Sequence, residues 1–292
     1  MTEPLQMIEN KAQDRAWLQR PGAIRLAATR WAGRRRGVVF AHGFGQTRHA
    51  WTGTAQTLAH AGFACLSFDA RGHGESAWRD DEPYRFEAMA EDLHAAAAET
   101  GGAPVLVGAS MGGLLGLAAQ DLHPGTFSAL VLVDVTPRWE PSGVDRILGF
   151  MRAHPDGFAS LEDAAAAISV YLPHRSGAKS PDRLRGLLAD RGDGRLRWHW
   201  DPRLIDDVAI GSERYQPMLA AAAARVEVPM LLISGGESDL VSHATIVEFL
   251  TLAPHARHVV VPKATHMVAG DDNAAFTAHV LAFLESLDSE EL

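Results

Sequence analysis

Apolar positions along this chain fall into two alternating kinds of run. Six short stretches are almost continuously apolar: 37–43 (GVVFAHG), 63–69 (FACLSFD), 103–110 (APVLVGAS), 129–134 (ALVLVD), 228–236 (VPMLLISGG) and 257–262 (RHVVVP). Runs this short and apolar predict strands buried on both faces. Longer stretches near 49–62, 84–100, 111–123, 241–253 and 273–287 space their apolar residues as helices do. Alternation of the two predicts an α/β fold, a mostly parallel sheet with helices on both faces. An earlier segment, AIRLAATRWAG at 23–33, alternates more loosely and predicts antiparallel edge strands.

The rhythm breaks between Pro137 and Val226. Helical patterns lie near 142–153, 160–172 and 181–190, then the tryptophan-rich RLRWHWDPRL at 195–204, then an alanine-rich helix near 212–225. The expected organisation is a core of residues 1–136 and 227–292, interrupted by a helical insertion, 137–226, lying over the sheet.

Composition narrows the choices. With 292 residues, 47% hydrophobic and 22% charged, the chain has the balance of an ordinary globular protein. A net charge of −9 argues against nucleic acid or anionic lipid as partner. The single cysteine, Cys65, cannot form an internal disulfide and suits a reducing compartment. No apolar run is long enough to span a membrane, and MTEPLQMIENKAQDR lacks the apolar stretch of a secretory signal. A cytoplasmic monomer or homodimer is the expectation. Arg34-Arg35-Arg36, before Gly37, reads as a solvated turn between strands.

In open parallel sheets, sites form from loops at the carboxyl ends of strands. Here those ends carry His42-Gly43-Phe44-Gly45, Asp69, Ser110, Asp134, Asp239 and His266. Ser110 stands in Gly108-Ala109-Ser110-Met111-Gly112, a G-x-S-x-G pattern that is weak alone. Its neighbours give it weight: a buried strand before, a helix after, HGFG upstream, ESDL and ATHM downstream. Together they make the chain resemble the α/β-hydrolase superfamily, of the capped serine-hydrolase kind, over residues 24–287. In that family the chain order is serine nucleophile, acid, histidine. The resemblance implies Ser110 as nucleophile, Asp239 as acid and His266 as base, with Glu237 and Asp134 as rivals for the acid. It also implies the Phe44 and Met111 amides as the oxyanion hole.

Each role meets a chemical need. A serine hydroxyl attacks a carbonyl only if a base removes its proton, and the base needs a carboxylate to fix its tautomer and offset its charge. An imidazole with an ordinary pKa of about 6.5 should make activity rise as it loses its proton. Two backbone amides aimed at the developing oxyanion lower the barrier by roughly 3 kcal/mol each.

The resemblance implies a closed pocket and a small or medium, partly apolar carboxylic ester or lactone, cleaved through an acyl-serine. Trp139 and Met267 are candidate walls beside Phe44 and Met111. One alternative is carbon–carbon or amide hydrolysis, with a cofactor-free perhydrolase side activity, in which Arg138, Arg146 or Arg175 would hold a substrate carboxylate. Another is a receptor-like member that binds ligand and turns over slowly. Neither a dinucleotide fingerprint nor a phosphate loop occurs, and no H-E-x-x-H or paired C-x-x-C, so no cofactor or metal is expected. His42 and the DARGHGES turn (69–76) read as structural. RWHWDPR (197–203) reads as a fastener between insertion and core, with pocket lining as the alternative.

Overall fold

The structure, a computed structural model, describes residues 13–20, 24–79, 81–171, 184–190, 192–271 and 273–290. The chain lays down β1 (Gln13–Gln19), β2 (Arg25–Trp31), β3 (Arg35–Ala41), α1 (Thr52–His60), β4 (Phe63–Phe68), α2 (Phe86–Ala98), β5 (Val105–Ala109), α3 (Met111–Leu122) and β6 (Ala129–Val133). A long connection follows, with α4 (Pro141–Arg152), α5 (Leu161–Tyr171), β7 (Leu188–Asp190), β8 (Leu196–Trp198) and α6 (Gln216–Arg225). The chain then returns through β9 (Met230–Gly235), α7 (His243–Leu252), β10 (Arg257–Val261), a one-turn helix α8 (Val268–Asp271) and α9 (Asn273–Glu290).

Eight strands form one sheet in the order β1-β2-β4-β3-β5-β6-β9-β10. From β4 to β10 every neighbouring pair is parallel; β1 and β2 are antiparallel to each other, and β2 to β4. The continuous apolar runs follow from period-two geometry with both faces covered. Val39, Leu106, Leu130, Leu132 and Leu232 point to one face with Met89 and Leu93 of α2 and Leu115 of α3. Val38, Val107, Val131 and Ile233 point to the other with Leu58 of α1 and Phe276 and Leu284 of α9. Strand β3 has β4 on one side and β5 on the other, so chain direction across the sheet reverses there. That reversal opens a crevice at the carboxyl ends of β3 and β5.

Three expectations need correction. Strand β1 was not foreseen: QDRAWLQ is mostly solvent-exposed, as an edge strand can be, and carries no apolar alternation. The helix expected over 181–190 lies partly outside the described residues, and its described end is strand β7, paired antiparallel with β8. Between them Asp190 Oδ1 accepts the Gly192 amide at 2.8 Å, and Gly192 and Gly194 take φ of 85° and 76°, turn chemistry that stops a helix. Arg35 and Arg36 are not a free turn but open β3, and both pair with Asp288 of α9. Arg175 and the residues before Gln13 lie outside the described residues.

Candidate active site

Ser110 ends β5 and caps α3 at φ 48°, ψ −118°, a left-handed conformation that a residue with a Cβ adopts only under constraint. The constraint is visible. The Ser110 amide donates to Val133 O at 3.0 Å, while its carbonyl accepts from Gly113 and Leu114 at 3.0 and 3.1 Å. Glycine at 112 is required by close approach: a Cβ there would sit 2.3 Å from Ala41 O of β3. Met111 begins α3, where first-turn amides lack intrahelical acceptors and the helix dipole is positive. Ser110 Oγ makes no hydrogen bond among the described residues.

Asp134 follows β6 directly, is fully buried, and has φ 49°. Its Oδ1 accepts the Gly235 amide at 2.7 Å; its Oδ2 accepts Ser238 Oγ at 2.5 Å and His266 Nδ1 at 2.8 Å. His266 lies in the loop after β10, shaped by Thr265, whose amide and hydroxyl both donate to Asp271 Oδ2 at 2.9 and 2.6 Å. That loop presses against Gly235, where a Cβ would meet Ala264 O and Thr265 O at 2.4 Å.

The carboxylate on His266 is therefore Asp134, and Asp239, the expected partner, is engaged elsewhere. Asp239 is about two-fifths exposed and forms a bidentate ion pair with Arg146 of α4, one arm 3.0 Å (Nη2–Oδ1). The Arg146 hydrogen bond, with the His266 ring a weaker contributor, holds the Asp239 carboxyl below its ordinary range. Arg146 also lies over the Tyr171 ring, 4.7 Å from its centroid. Glu237 is exposed.

The loop after β3 is held by buried imidazoles. His42 Nε2 accepts the Ala70 amide at 2.9 Å, which leaves Nδ1–H to donate to Gly43 O at 2.9 Å. His73 Nε2 accepts the Gly45 amide at 3.2 Å. Burial lowers the pKa of both rings, and for His73 the neighbouring His42 and His199 push it further down. Among the described residues, neither the Phe44 nor the Met111 amide has an acceptor within the protein. Both residues line the same cavity as Ser110. The structural reading of DARGHGES agrees: Asp69 accepts the Arg48 and Glu75 amides, and Arg71 forms a bidentate pair with Asp92.

Beyond Ser110 lies an apolar cavity between the carboxyl ends of the central strands and the β6–β9 connection. Phe44, Met111 and Leu114 line it from the core side; Trp139, Val144, Ile147, Leu148, Val208 and Leu219 line it from the connection. Trp139, a candidate wall, lines this cavity. Met267 does not: its Sδ contacts Gln46 Nε2 at 3.2 Å outside the lining. RWHWDPR fastens. Trp198 and Trp200 are buried and stacked with centroids 4.9 Å apart, and Asp201 binds Tyr84 Oη, Arg203 and, through its amide, Gly72 O. Trp198 Nε1 is buried with no hydrogen-bond partner among the described residues.

A serine in a strained strand–helix elbow, at the reversal point of a parallel sheet, has a counterpart among known proteins. The model of the family described as alpha/beta hydrolase fold matches residues 37–272. The chain belongs to the α/β-hydrolase fold family. Among family members, esterase Rv0045c of Mycobacterium tuberculosis is 31% identical over 92% of this chain and 89% of its own length. Its solved structure superposes with a TM-score of 0.74 at 28% identity, covering 94% of this chain and 92% of that one. A 3-hydroxybutyrate-oligomer hydrolase of Cupriavidus necator is 28% identical over 84% of this chain and 88% of its own. The structure of E-2-(acetamidomethylene)succinate hydrolase shares the fold with a TM-score of 0.82 at 23% identity, over 94% of this chain and all of that one. Among the described residues, no helix is long and apolar enough to cross a membrane, and no group of three or more His, Cys, Asp or Glu is placed to hold a metal ion.

Proposed function

We propose that the protein is a serine hydrolase cleaving a small or medium, largely apolar carboxylic ester or lactone through an acyl-Ser110 intermediate. The observation that carries this reading is the buried Asp134–His266 hydrogen bond of 2.8 Å beside the Ser110 elbow. With Nδ1–H donated to Asp134, His266 presents an unprotonated Nε2, the tautomer a base requires. Nε2 takes the Ser110 Oγ proton as Oγ bonds to the ester carbonyl carbon. The carbonyl electron pair moves onto oxygen, where the Phe44 and Met111 amides receive it. Collapse expels the alkoxide, which takes the proton from His266; water then repeats the sequence on the acyl-enzyme. Hydrogen bonds of this kind commonly close only in the substrate complex, in keeping with an unengaged Oγ in the free protein.

Residues 137–226 act as the cap, and its apolar wall selects the acyl group. The cavity favours an ester over a substrate carrying a carboxylate. Its described lining has no cationic side chain, Arg146 is taken up by Asp239, and Arg138 pairs with Glu248 on the surface. The relative named an esterase supports the same bond class. Ser110→Ala, assayed on p-nitrophenyl esters of two to eight acyl carbons and on lactones, should lose turnover by at least about 10⁴-fold with an unchanged melting curve. Retention of activity in that variant would end the reading.

A further inference from the structure

His199 belongs to the β6–β9 connection, between the two stacked indoles Trp198 and Trp200 of the fastening segment, yet its ring reaches the loop after β3. It is buried, with Nδ1 accepting the Gly74 amide at 2.9 Å. An accepting Nδ1 leaves Nε2–H, which donates to Gly45 O at 3.2 Å. Gly45 is therefore gripped at both ends of its backbone: its amide by His73 from the core, its carbonyl by His199 from the connection. Gly45 has φ 73°, and a Cβ there would meet Met151 of α4 and Trp200 at 3.2 and 3.5 Å, so the connection encloses the turn on several sides. The residue before Gly45 is Phe44, whose amide is the oxyanion donor in the reading above.

We propose that His199 is a positioning residue for catalysis: it transmits the seating of the 137–226 segment to the Phe44 oxyanion donor by fixing the Gly45 peptide. This rests on the ester-hydrolase reading of Ser110. Both ring nitrogens are committed, one to accept and one to donate, so only a neutral imidazole serves. Its charged and titratable surroundings are His73 at 6.2 Å between centroids, His42 beyond it, and Asp69, itself neutralised by Arg48. Trp200 closes the remaining side edge-on at 5.2 Å. An apolar ring at position 199 would preserve packing and lose both bonds. Glutamine reaches as far as Nε2 and can donate to Gly45 O; asparagine reaches only the Nδ1 position and can accept from Gly74 alone.

The test compares wild type, His199→Gln, His199→Asn and His199→Phe in p-nitrophenyl butyrate hydrolysis and in inhibition by a trifluoromethyl ketone, with melting curves for each. Loss of an oriented oxyanion donor lowers kcat by about 10²-fold. His199→Asn and His199→Phe should lose about 10- to 100-fold in kcat and in ketone affinity, with KM within about twofold and a folded protein at assay temperature. His199→Gln should stay within about threefold of wild type. A folded His199→Asn with wild-type kcat and ketone affinity would overturn the role. So would a folded His199→Gln that loses as much as His199→Phe, which decides the matter if the asparagine variant does not fold. Wild-type protein with no Ser110-dependent turnover would instead bring down the hydrolase reading, and this role with it.

Discussion

Two aspartates compete for the acid's role, and Asp134→Asn against Asp239→Asn separates them. Asp134 accepts three hydrogen bonds while fully buried: from the Gly235 amide, Ser238 Oγ and His266 Nδ1. Oδ1 faces an N–H donor and must remain an oxygen, so an asparagine would place its NH₂ at the Oδ2 position. There it meets His266 Nδ1 with a donor. The ring must then accept at Nδ1 and carry its proton on Nε2, the nitrogen that should receive the Ser110 proton. A wrong tautomer with otherwise intact geometry costs about 10⁴-fold in kcat, or roughly 5 kcal/mol of barrier. Asp239→Asn breaks a half-exposed ion pair to Arg146, worth no more than about 1 kcal/mol, and leaves the Asp134–His266 bond alone. Its kcat should remain within about fivefold of wild type. Steady-state p-nitrophenyl butyrate hydrolysis at pH 8, with melting curves to confirm folding, measures both. The reasoning fails if Asp239→Asn loses as much as Asp134→Asn, or if Asp134→Asn keeps more than about a hundredth of wild-type kcat.

Three further outcomes follow from burial and packing. The pKa of His199 is lowered to about 4, mainly by burial and then by His42, so the unfolded chain takes up a proton below about pH 6.5 that the native ring refuses. Stability from this group is complete above pH 6.5 and lost as pH falls toward 4, about 3 kcal/mol in all; urea melts across that range should show the slope, reduced in His199→Gln. Trp139→Leu removes an indole from the cavity wall and should raise kcat/KM for an octanoate ester relative to the butyrate by at least about tenfold, seen in a chain-length series. Burial pushes the Cys65 thiol up to about 12, so it should resist a disulfide reagent at pH 8 until the protein is unfolded.

The parallel sheet was legible in the sequence because strands buried on both faces must be apolar at every position, as Val38–Val39–Phe40 and Leu130–Val131–Leu132 are. The elbow that carries Ser110 was legible through local context: it is written in glycines whose Cβ atoms would collide with neighbouring backbone. The acid was not. Asp134 and Asp239 both follow apolar strands, and Asp239 is drawn away by Arg146, distant in sequence and brought to it by the seating of α4. Ser238, beside Asp239, is a weak sequence sign, since its hydroxyl serves Asp134 instead. Likewise β1 was invisible because an exposed edge strand can be built from polar residues, and β7 because a three-residue strand has too little pattern to be told from helix.

In the proposed reading the acid, Asp134, directly follows β6, which has a consequence for how the chain can be re-engineered. Nucleophile and acid are encoded in one uninterrupted stretch, upstream of the long β6–β9 connection, with only His266 added from the far side. A foreign segment spliced in place of 137–226 would meet a nucleophile and acid already assembled on neighbouring strands. It would have to supply a cation for Asp239, a neutral ring or amide for Gly45 and Gly74, and a carboxylate for Tyr84 where Asp201 now stands. Selectivity could then be exchanged as a cassette while the bond-breaking apparatus stays as it is.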